Sequence, residues 1–368
     1  MTKVSDKNSL RILQIGMHDQ LGGVEVFLMN YYKNIDRNKI QFDFINHCES
    51  LCFSDEIQSL GGRIFNVPSF KKNVFKYYSE IKKIIKENKY EIVHINLLSC
   101  SNILPIIAAK RSKAKKIIVH SHNNGMPDSI LKTILHFINK KIINRIADVF
   151  WACSSSAGEW MFGNSNFQII KNGVNIDNFI FDNKNRDNIR KKFNISNDKY
   201  LIGHVGRFDI QKNHEYLIQL FSKINKKYKD TMLMLIGTGV LYDDIVKQVK
   251  SLKLEGKVIF TGVVNDPQKY YSAMDLFLLP SKFEGLGIVN VEAQACGLPC
   301  IVSDVVPKEV KITDNFRFVN LNKEELWLKE FSKFKNSSIN RKIKKESMKS
   351  YDISFLAKEI EIKYINLL

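Results

Sequence analysis

The sequence predicts an α/β protein with two domains, each built around a parallel β-sheet. Short apolar runs alternate with longer amphipathic segments, a pattern typical of strands buried on both faces with helices between them. The alternation is interrupted once, by a stretch rich in Asp and Asn, and then starts again. The chain has 368 residues, which is long for one domain and ordinary for two.

The first series of elements lies before residue 176. Its predicted strands are residues 11–16, 41–46, 63–67, 92–95, 116–120 and 149–152, with helical segments between most of them. Residues 176–199 have little apolar periodicity and suit an interdomain linker. We therefore predict an N-terminal domain over residues 1–175 and a linker over residues 176–199.

The second series follows the linker. Its predicted strands are residues 201–205, 231–236, 257–261, 275–279 and 300–302, and the tail from Asn322 onward has a charged, helical pattern. This predicts a C-terminal domain over residues 200–350 and a C-terminal helix over residues 351–368. Ligands of such sheets bind beyond the carboxyl ends of the strands, so two domains facing each other would form a binding cleft.

The chain is strongly basic, with 56 Lys and Arg against 38 Asp and Glu and a net charge of +18. This charge suits nucleic acid, an anionic membrane surface or phosphorylated substrates. The basic residues are spread along the chain, which argues against a nucleic-acid binder. The N-terminus lacks the apolar core of a signal peptide, and no apolar run approaches the ~18 residues of a membrane span. We expect a cytoplasmic protein that is neither secreted nor threaded through a membrane.

The cysteines do not form a metal-binding motif in the sequence. Cys48 and Cys52 are four residues apart beside His47, yet no second pair of ligands follows at a spacing typical of zinc sites. We therefore expect reduced thiols in a cytosolic protein at all six positions, Cys48, Cys52, Cys100, Cys153, Cys296 and Cys300.

Residues 281–299 hold two glutamates on either side of a glycine-containing turn. Glu284 stands with Gly285 and Gly287 where a predicted strand leads into a helix that carries Glu292. Eight helical residues rise roughly 12 Å, so the two carboxylates cannot hold one atom but can bracket an elongated ligand. The glycines leave N–H groups bare at a helix N-terminus, which favours anions or hydroxyls. The alternative is an exposed pair of glutamates on an ordinary helix.

A pair of cations follows the first strand of the second domain. Gly206 ends this strand, Arg207 comes next and Lys212 lies five residues further on. Two cations at the mouth of a sheet can clamp a diphosphate and neutralise charge that grows on a leaving group. In a chain this basic, they could also be ordinary surface residues.

Two weaker features lie in the first domain. Gly22 and Gly23, between a strand and a helix, would let a ligand approach the backbone, although they do not match the Gly-x-Gly-x-x-Gly fingerprint and could simply form a turn. His120 and His122 leave the end of a strand. We expect them to be directed to opposite faces, so that one can face a cleft and the two do not share a metal ion.

The sequence resembles the retaining GT-B glycosyltransferases of family four in five features that occur in the same chain order. These are the glycine pair, the strand-end histidine, Arg207 with Lys212, a Leu-Ile-Gly-Thr-Gly segment and the Glu-x7-Glu loop. The resemblance covers nearly the whole chain, and Glu-Gly-Leu-Gly-Ile-Val-Asn-Val-Glu at 284–292 is its specific part. The best match is with transferases of capsule, exopolysaccharide and lipopolysaccharide assembly. It implies two Rossmann-like domains facing a cleft, the first binding the acceptor and the second a nucleotide-sugar, with the C-terminal helix packing back on the first.

The resemblance also implies roles for the matching residues. Glu284 and the backbone of Gly285, Leu286 and Gly287 would hold the donor sugar, and Glu292 would accept hydrogen bonds from ribose hydroxyls. Arg207 and Lys212, beside Gly206, would bind the diphosphate. The remaining donor contacts would come from glycines that let the ligand pass close to the backbone, namely Gly22, Gly23, Gly237 and Gly239. The nucleotide base would meet the turn at 263–266.

Enzymes of this kind keep the anomeric configuration, and the usual proposal is a front-face substitution in which the departing phosphate takes the acceptor proton. Glu284 then need not be a nucleophile. The catalytic set implied by the resemblance is His122, Glu284, Arg207 and Lys212, and His122 matches the cleft histidine better than His120. The sequence contains no Asp-x-Asp, so we expect no metal and no cofactor, with the two cations replacing the charge of an ion.

The sequence departs from the family pattern in two places. We find no clear copy of the family's Pro-Gly-Asp turn after residue 310, and the acceptor half carries no readable signature. The donor is expected to be a UDP-sugar because this is the commonest donor in the resembling subset, and the acceptor a lipid-linked saccharide. Alternatives are a UDP-sugar 2-epimerase of the same architecture and a non-catalytic sugar-nucleotide-binding protein.

Two basic amphipathic segments raise the question of a membrane surface. Residues 73–90 carry Phe75, Tyr78, Ile81 and Ile85 on one stripe, and residues 130–146 repeat the pattern with several cations. Such helices can lie on an anionic leaflet. We expect the apolar stripes to pack on the sheet, as in any α/β domain, while the lysines face lipid headgroups at the inner face of the cell membrane.

Overall fold

The computed structural model describes residues 9–125, 127 and 129–368, and it divides into two compact units. The first unit comprises the chain up to Gly173 together with Asp352–Leu368, and the second comprises Val174–Tyr351. Each unit is built around one parallel sheet with helices between its strands. The predicted α/β class with two parallel-sheet domains is therefore confirmed.

The first unit has a seven-stranded sheet. Its strands, in chain order β1 to β7, are Leu10–Ile15, Ile40–Asn46, Ile64–Asn66, Ile92–Leu97, Lys116–Ser121, Val149–Ala152 and Gln168–Ile169. In space they are ordered β3-β2-β1-β4-β5-β6-β7. The chain thus leaves β1 in one direction and returns to its other side at β4. Such a reversal is the point where open α/β sheets bind ligands, beyond the carboxyl ends of the two strands.

Six helices connect these strands and a seventh comes from the end of the chain. The connecting helices, α1 to α6, are Gly23–Asn34, Ser54–Ser59, Val74–Glu87, Leu104–Arg111, Ile130–Ile146 and Ser155–Phe162. The last helix of the chain, Ile353–Ile365, packs against α1 and buries Leu356, Ile360 and Tyr364 in the core of the first unit. The C-terminal helix therefore packs on the N-terminal domain, as the resemblance implied.

The second unit has a six-stranded sheet. Strands β8 to β13 are Tyr200–Val205, Thr231–Ile236, Val258–Gly262, Leu276–Leu279, Cys300–Ser303 and Phe316–Val319, ordered β10-β9-β8-β11-β12-β13. The helices are α7 to α14, namely Ile176–Phe179, Asn183–Lys192, His214–Lys227, Tyr242–Ser251, Pro267–Ala273, Ile288–Ala295, Glu324–Lys335 and Lys345–Met348, and the last helix of the first unit is α15. Here the chain reverses between β8 and β11.

Residues 176–199, for which the sequence suggested a linker, hold α7 and α8 and belong to the second unit. The reason is a set of ion pairs that the apolar pattern did not reveal. Arg190 is almost fully buried, and its guanidinium donates to Asp275 at 2.6 Å while Arg186 donates to the same carboxylate at 2.7 Å. Asp275 also accepts from the backbone N–H of Leu201 at the start of β8. These contacts fasten a polar helix to the amino ends of β8 and β11, the two central strands of the sheet.

The two basic amphipathic helices bury their apolar residues to different extents. Helix α3 buries Ile81 and Ile85 of the expected stripe together with Tyr77 and Ile84, whereas Tyr78 is partly buried and Phe75 is exposed. Helix α5 buries only His136 and Ile143. Leu135 and Ile146 are partly buried, whereas six large apolar side chains are exposed, namely Ile130, Leu131, Ile134, Phe137, Ile138 and Ile142. The expectation that the apolar stripe packs on the sheet is therefore wrong for α5. Among the described helices, none is both long and apolar enough to cross a membrane.

Removing the Asp275 carboxylate is expected to destabilise the second unit, because Arg190 would keep a buried charge without its partner. We expect Asp275→Asn to cost about 3 kcal/mol of unfolding free energy, measured by urea denaturation. Asp244→Asn is the control, since its pair with Lys247 joins two exposed side chains on the surface and its loss should leave the midpoint nearly unchanged. Equal midpoints for the two variants would contradict this account of α8.

Candidate active site

The chain reversal in the second sheet brings two of the expected site residues into direct contact. Lys212 lies in the loop after β8, and Glu284 lies in the loop after β11, the neighbouring parallel strand. The Lys212 ammonium is 2.5 Å from Glu284 Oε1. Because carboxyl ends of adjacent parallel strands meet at one edge of a sheet, this fold joins residues that are 72 positions apart.

Glu284 is almost fully buried, and three donors engage its carboxylate. Oε1 accepts from Lys212 and from the Ser281 hydroxyl at 2.7 Å, while Oε2 accepts from the Gln211 amide at 3.3 Å. A cation and two neutral donors together fix the orientation of this carboxylate. Glu284 is therefore better suited to accept hydrogen bonds than to act as a nucleophile.

Arg207 is arranged differently from Lys212. Its guanidinium is about half-exposed and pairs with Asp209 at 3.1 Å, and the other Asp209 oxygen accepts from the backbone N–H of Lys212 at 3.1 Å. Asp209 thus shapes the loop that carries both cations. The structure places Arg207 at the same edge of the sheet as Lys212, with its cationic group accessible to an anion.

Glu292 has a separate environment from that of Glu284. It lies in α12, and its carboxylate accepts from the Tyr271 hydroxyl at 2.8 Å. Burial raises the pKa of Glu292 to about 7, against the opposing effects of the Tyr271 hydrogen bond and the Lys212 charge. The two glutamates therefore have different hydrogen-bond partners.

Glycines shape the backbone around these side chains. A Cβ atom at Gly237, where φ is +131°, would collide with the carbonyl oxygen of Gly206, so only glycine lets the ends of β8 and β9 approach this closely. Gly287 has a φ of +76° and precedes the first residue of α12. Gly285 and Leu286 are buried in the turn between Glu284 and this helix. The N–H groups of a first helical turn lack intrahelical partners, so this turn suits an anionic or hydroxyl group.

Sequence reasoning missed several residues beside these glutamates. Tyr271, Ser281 and Gln211 bond to the two carboxylates, and no local motif marks them. Asn290 is fully buried one helical turn after Gly287, and neither its amide oxygen nor its amide nitrogen has a hydrogen-bond partner among the described residues. In the sequence, Asn290 is marked only by its position between Glu284 and Glu292.

In the first unit, Gly22 precedes α1 and Gly23 is its first residue. A Cβ at Gly22 would lie 2.9 Å from a carboxylate oxygen of Glu25, whereas a Cβ at Gly23 would meet open space. Glu25 is buried and accepts from the backbone N–H of His18 at 2.9 Å. The close approach at Gly22 thus serves the packing of this loop, and the space beside Gly23 is free for a ligand.

The two strand-end histidines do not point to opposite faces, as we expected. Residues two apart in a strand share a face, and the rings of His120 and His122 lie 4.0 Å apart. His120 is fully buried and bonds to His94 at 3.2 Å. His122 follows the end of β5, is partly exposed and bonds through Nε2 to the Asn96 side-chain oxygen at 2.9 Å. His122 is thus the more accessible of the pair.

The hydrogen bond that His122 donates to Asn96 determines the tautomer of the His122 ring. An oxygen acceptor at Nε2 places the proton of the neutral ring on that nitrogen and leaves Nδ1 with a lone pair. Nδ1 is buried, and no described residue bonds to it. Burial also lowers the pKa of His122 to about 3, so the ring is neutral at physiological pH. His122 can therefore accept a hydrogen bond from a ligand hydroxyl.

The titration of Glu292 gives a test of its buried environment. Because the pKa is raised from 4.5 to about 7, the stabilisation by the protonated form is complete below pH 4.5 and is lost as the pH rises through 7. Between about pH 4.5 and pH 8, wild type should lose about 3 kcal/mol of unfolding free energy relative to Glu292→Gln. Urea denaturation across this range measures the difference, with the exposed Glu255→Gln as control. A constant difference would show that Glu292 titrates normally.

Comparison with protein families accounts for most of the chain. Residues 21–178 match the model described as Glycosyltransferase Family 4, and residues 185–349 match the model described as Glycosyl transferases group 1. The second match includes the loops with Arg207, Lys212, Glu284 and Glu292. The first match includes Gly22, Gly23 and His122.

Two curated relatives match over most of their length. The putative glycosyltransferase EpsF of Bacillus subtilis (strain 168) is 32% identical over 316 residues, which are 83% of this chain and 81% of EpsF. The UDP-Gal:alpha-D-GlcNAc-diphosphoundecaprenol alpha-1,3-galactosyltransferase of Escherichia coli is 25% identical over 334 residues, covering 85% of this chain and 84% of that protein.

The fold is also similar to solved structures. Anabaena Alr3699/HepE, crystallised in complex with UDP and glucose, has a TM-score of 0.78 and covers 98% of this chain and 100% of its own. Its sequence identity is 17%, so this likeness concerns the fold.

Proposed function

The chain belongs to family 4 of the glycosyltransferases, and we propose that it moves a sugar, with retention of the anomeric configuration, from a UDP-sugar to a lipid-linked saccharide during synthesis of a bacterial surface polysaccharide. The observation that carries the proposal is the contact of Lys212 with Glu284 at the chain reversal of the second sheet, with Arg207 and Glu292 nearby in the same unit. This set offers cations for a diphosphate and carboxylates for hydroxyls.

We assign the diphosphate to Lys212 and Arg207. Lys212 is mostly buried against Glu284, so its charge is screened less by water than that of a surface lysine. Arg207 is accessible and can turn from Asp209 toward a phosphate. When the bond to the sugar breaks, negative charge grows on the diphosphate, and fixed cations at that position lower the barrier. We expect no metal ion at this donor site, because the two side chains supply positive charge themselves.

Hydroxyl groups of the donor are assigned to the two glutamates. Glu284 would accept from the transferred sugar, with the backbone of Gly285, Leu286 and Gly287 alongside. Glu292 would accept from the ribose, where its raised pKa makes the ionised form available above about pH 7. Because Lys212, Ser281 and Gln211 already hold Glu284, we assign it to positioning the sugar and not to attack on it.

Retention then requires no protein nucleophile. In the proposed front-face substitution, the acceptor oxygen forms a bond to the anomeric carbon as the bond to the diphosphate breaks, and the acceptor proton passes to the departing phosphate. We assign His122 to a hydroxyl of a ligand of the first unit, because the Nδ1 atom of its neutral ring is an acceptor without a partner among the described residues. Gly22 and Gly23 would leave room for the ligand beside the backbone of the first unit.

The nature of donor and acceptor is inferred from relatives. The Escherichia coli relative is named for UDP-Gal as donor and for a diphosphoundecaprenol-linked acceptor, and another relative is named as an O-antigen biosynthesis glycosyltransferase. The fold relative HepE was crystallised with UDP. These names support a UDP-sugar donor, a lipid-linked acceptor and a role in polysaccharide assembly. We propose that the enzyme acts on the cytoplasmic side of the membrane.

A lipid-linked acceptor would place the enzyme at a membrane, and α5 offers a matching surface. Its exposed apolar residues include Ile130, Leu131, Ile134, Phe137 and Ile138. The helix has no acidic residue and carries exposed cations at Lys141 and Arg145. Apolar side chains that insert below the headgroups, combined with nearby cations, are the features of a helix that lies on an anionic leaflet. We propose that α5 binds this surface.

The donor site can be tested by thermal unfolding with a panel of nucleoside diphosphates. UDP is expected to stabilise wild type by about 2.7 kcal/mol at a hundredfold excess over its dissociation constant, by the same amount with and without EDTA. Lys212→Ala should lose this stabilisation, because the diphosphate loses its buried cation. Lys226→Ala, which removes an exposed cation from the far end of α9, is the matched control.

Each other outcome of this experiment has a distinct meaning. Stabilisation by a different nucleoside diphosphate would identify that nucleotide, and not UDP, as the donor's nucleotide. No stabilisation by any of them would refute the donor site. If UDP-sugar is consumed but the altered sugar stays on the nucleotide, the enzyme is an epimerase. Binding of UDP without any turnover in the presence of lipid-linked acceptors would favour a binding protein.

The membrane surface can be tested by pelleting the protein with anionic vesicles. Reversing two charges, Lys141→Glu with Arg145→Glu, should weaken partitioning at least roughly 30-fold, since each cation near the leaflet contributes about 1 kcal/mol. The matched control is Lys83→Glu with Lys86→Glu on α3, where both lysines are exposed. Binding that does not respond to salt, or an equal loss in both double variants, would refute a specific role of α5.

A further inference from the structure

A cluster of metal-binding side chains lies in the first unit at the carboxyl ends of β1 and β2. His18 lies in the loop after β1, and His47 and Cys48 directly follow β2. One ligand atom from each residue lies within 4.8 Å of the others. His18 Nδ1 is 4.0 Å from the Cys48 sulfur, and the two imidazole rings are 4.7 Å apart at an angle of 83°.

The surrounding loops hold these side chains together. Strands β1 and β2 are adjacent and parallel, so the loops that follow them emerge at the same edge. The backbone N–H of Cys52 donates to the His18 carbonyl at 3.1 Å, and the Cys52 thiol donates to the Asp19 carbonyl at 2.9 Å. The backbone N–H of Cys48 donates to the Asn46 side chain at 2.9 Å. The cluster is thus built on two loops that are tied to each other.

One ring nitrogen in this cluster lacks a hydrogen-bond partner among the described residues. His47 Nδ1 is buried, and no described residue forms a hydrogen bond with it. A buried polar atom without a partner costs free energy, because it has lost its water. Coordination of a cation by the His47 ring is one arrangement that would offset this cost.

We propose that His18, His47 and Cys48 bind a zinc ion. Two imidazoles and one thiolate are ligands that zinc prefers, and three protein ligands with one open position are a recurrent zinc arrangement. Tetrahedral bonds of about 2.0–2.3 Å place ligand atoms roughly 3.3–3.8 Å apart. Side-chain rotations that move the ligand atoms by about 1 Å would therefore bring them to coordination distance. The Cys52 thiol donates to a backbone carbonyl, so we do not assign it as a fourth ligand.

Coordination would have two consequences for the first unit. Cys48 would bind as the thiolate and release its proton to solvent. The ion would also join the loop after β1 to the loop after β2. Because the first of these loops leads through Gly22 into α1, zinc would fix the backbone at the start of this helix. The donor residues belong to the second unit, so the zinc site and the metal-free donor site are separate proposals.

The test uses the tag-free, full-length chain after removal of metal with EDTA and thiol reduction. We expect one equivalent of Zn²⁺ to bind, and Co²⁺ in its place to give the thiolate charge-transfer absorption and intense visible bands of a tetrahedral sulfur-ligated site. Cys48→Ser should abolish the charge-transfer band. His18→Ala should weaken binding by more than the ~10- to 100-fold that loss of a supporting partner costs.

Matched variants separate the ligands from their neighbours. Cys52→Ser and Asp19→Asn are expected to bind Co²⁺ like wild type, because neither side chain belongs to the cluster. Metal-free Cys48→Ser should unfold at the same temperature as metal-free wild type, which shows that the fold is retained. Absence of the thiolate band in wild type, or an undiminished band in Cys48→Ser, would overturn the proposal. Neither result depends on UDP, so failure of the zinc site is distinguishable from failure of the donor site.

Discussion

The ion pair of Lys212 and Glu284 depends on a single topological constraint, the reversal of the chain between β8 and β11. These strands are neighbours in the sheet although β9 and β10 lie between them in the chain. The reversal leaves a gap beyond two carboxyl ends that no crossover connection fills, and the loops on either side carry the cation and the carboxylate. The glycines at 206 and 237 allow the backbone on one side of this gap to pass close to its neighbour. The chemistry of the donor site thus follows from strand order before any individual side chain is considered.

The same constraint explains how much the sequence could predict. Buried parallel strands have a strong local signal, so most strands of both sheets were found from their apolar runs. Strands β7 and β13 were not, because β7 has two exposed residues and β13 has two partly exposed residues between its buried ends. The roles of Glu284, Glu292, Arg207 and Lys212 came from motif spacing and stay predictions. Their partners could not be found this way, since Tyr271 and Gln211 contribute only through contacts between distant segments.

Two features of the structure could not be found from the sequence, and both have clear physical causes. The polar composition of α8 suggested a linker, but a helix can be fastened by ion pairs as well as by apolar packing, and Arg190 does this from a nearly fully buried position. For His18, His47 and Cys48, the search for pairs of ligands at short spacing missed the cluster, because the third residue comes from the neighbouring strand. In both cases the missing information was which strand ends lie side by side.

Because α15 returns to the first unit, it affects the order in which the two units fold during synthesis. Glu361 accepts from the backbone N–H of Asp36, and the Tyr364 hydroxyl bonds to His94, across separations of 325 and 270 residues. The core of the first unit is therefore incomplete on the ribosome until α15 has emerged. The second unit is continuous in sequence and can close its own core earlier. During synthesis, the half that is translated first is the half that finishes folding last, and its exposed apolar surface persists for the time needed to translate the other.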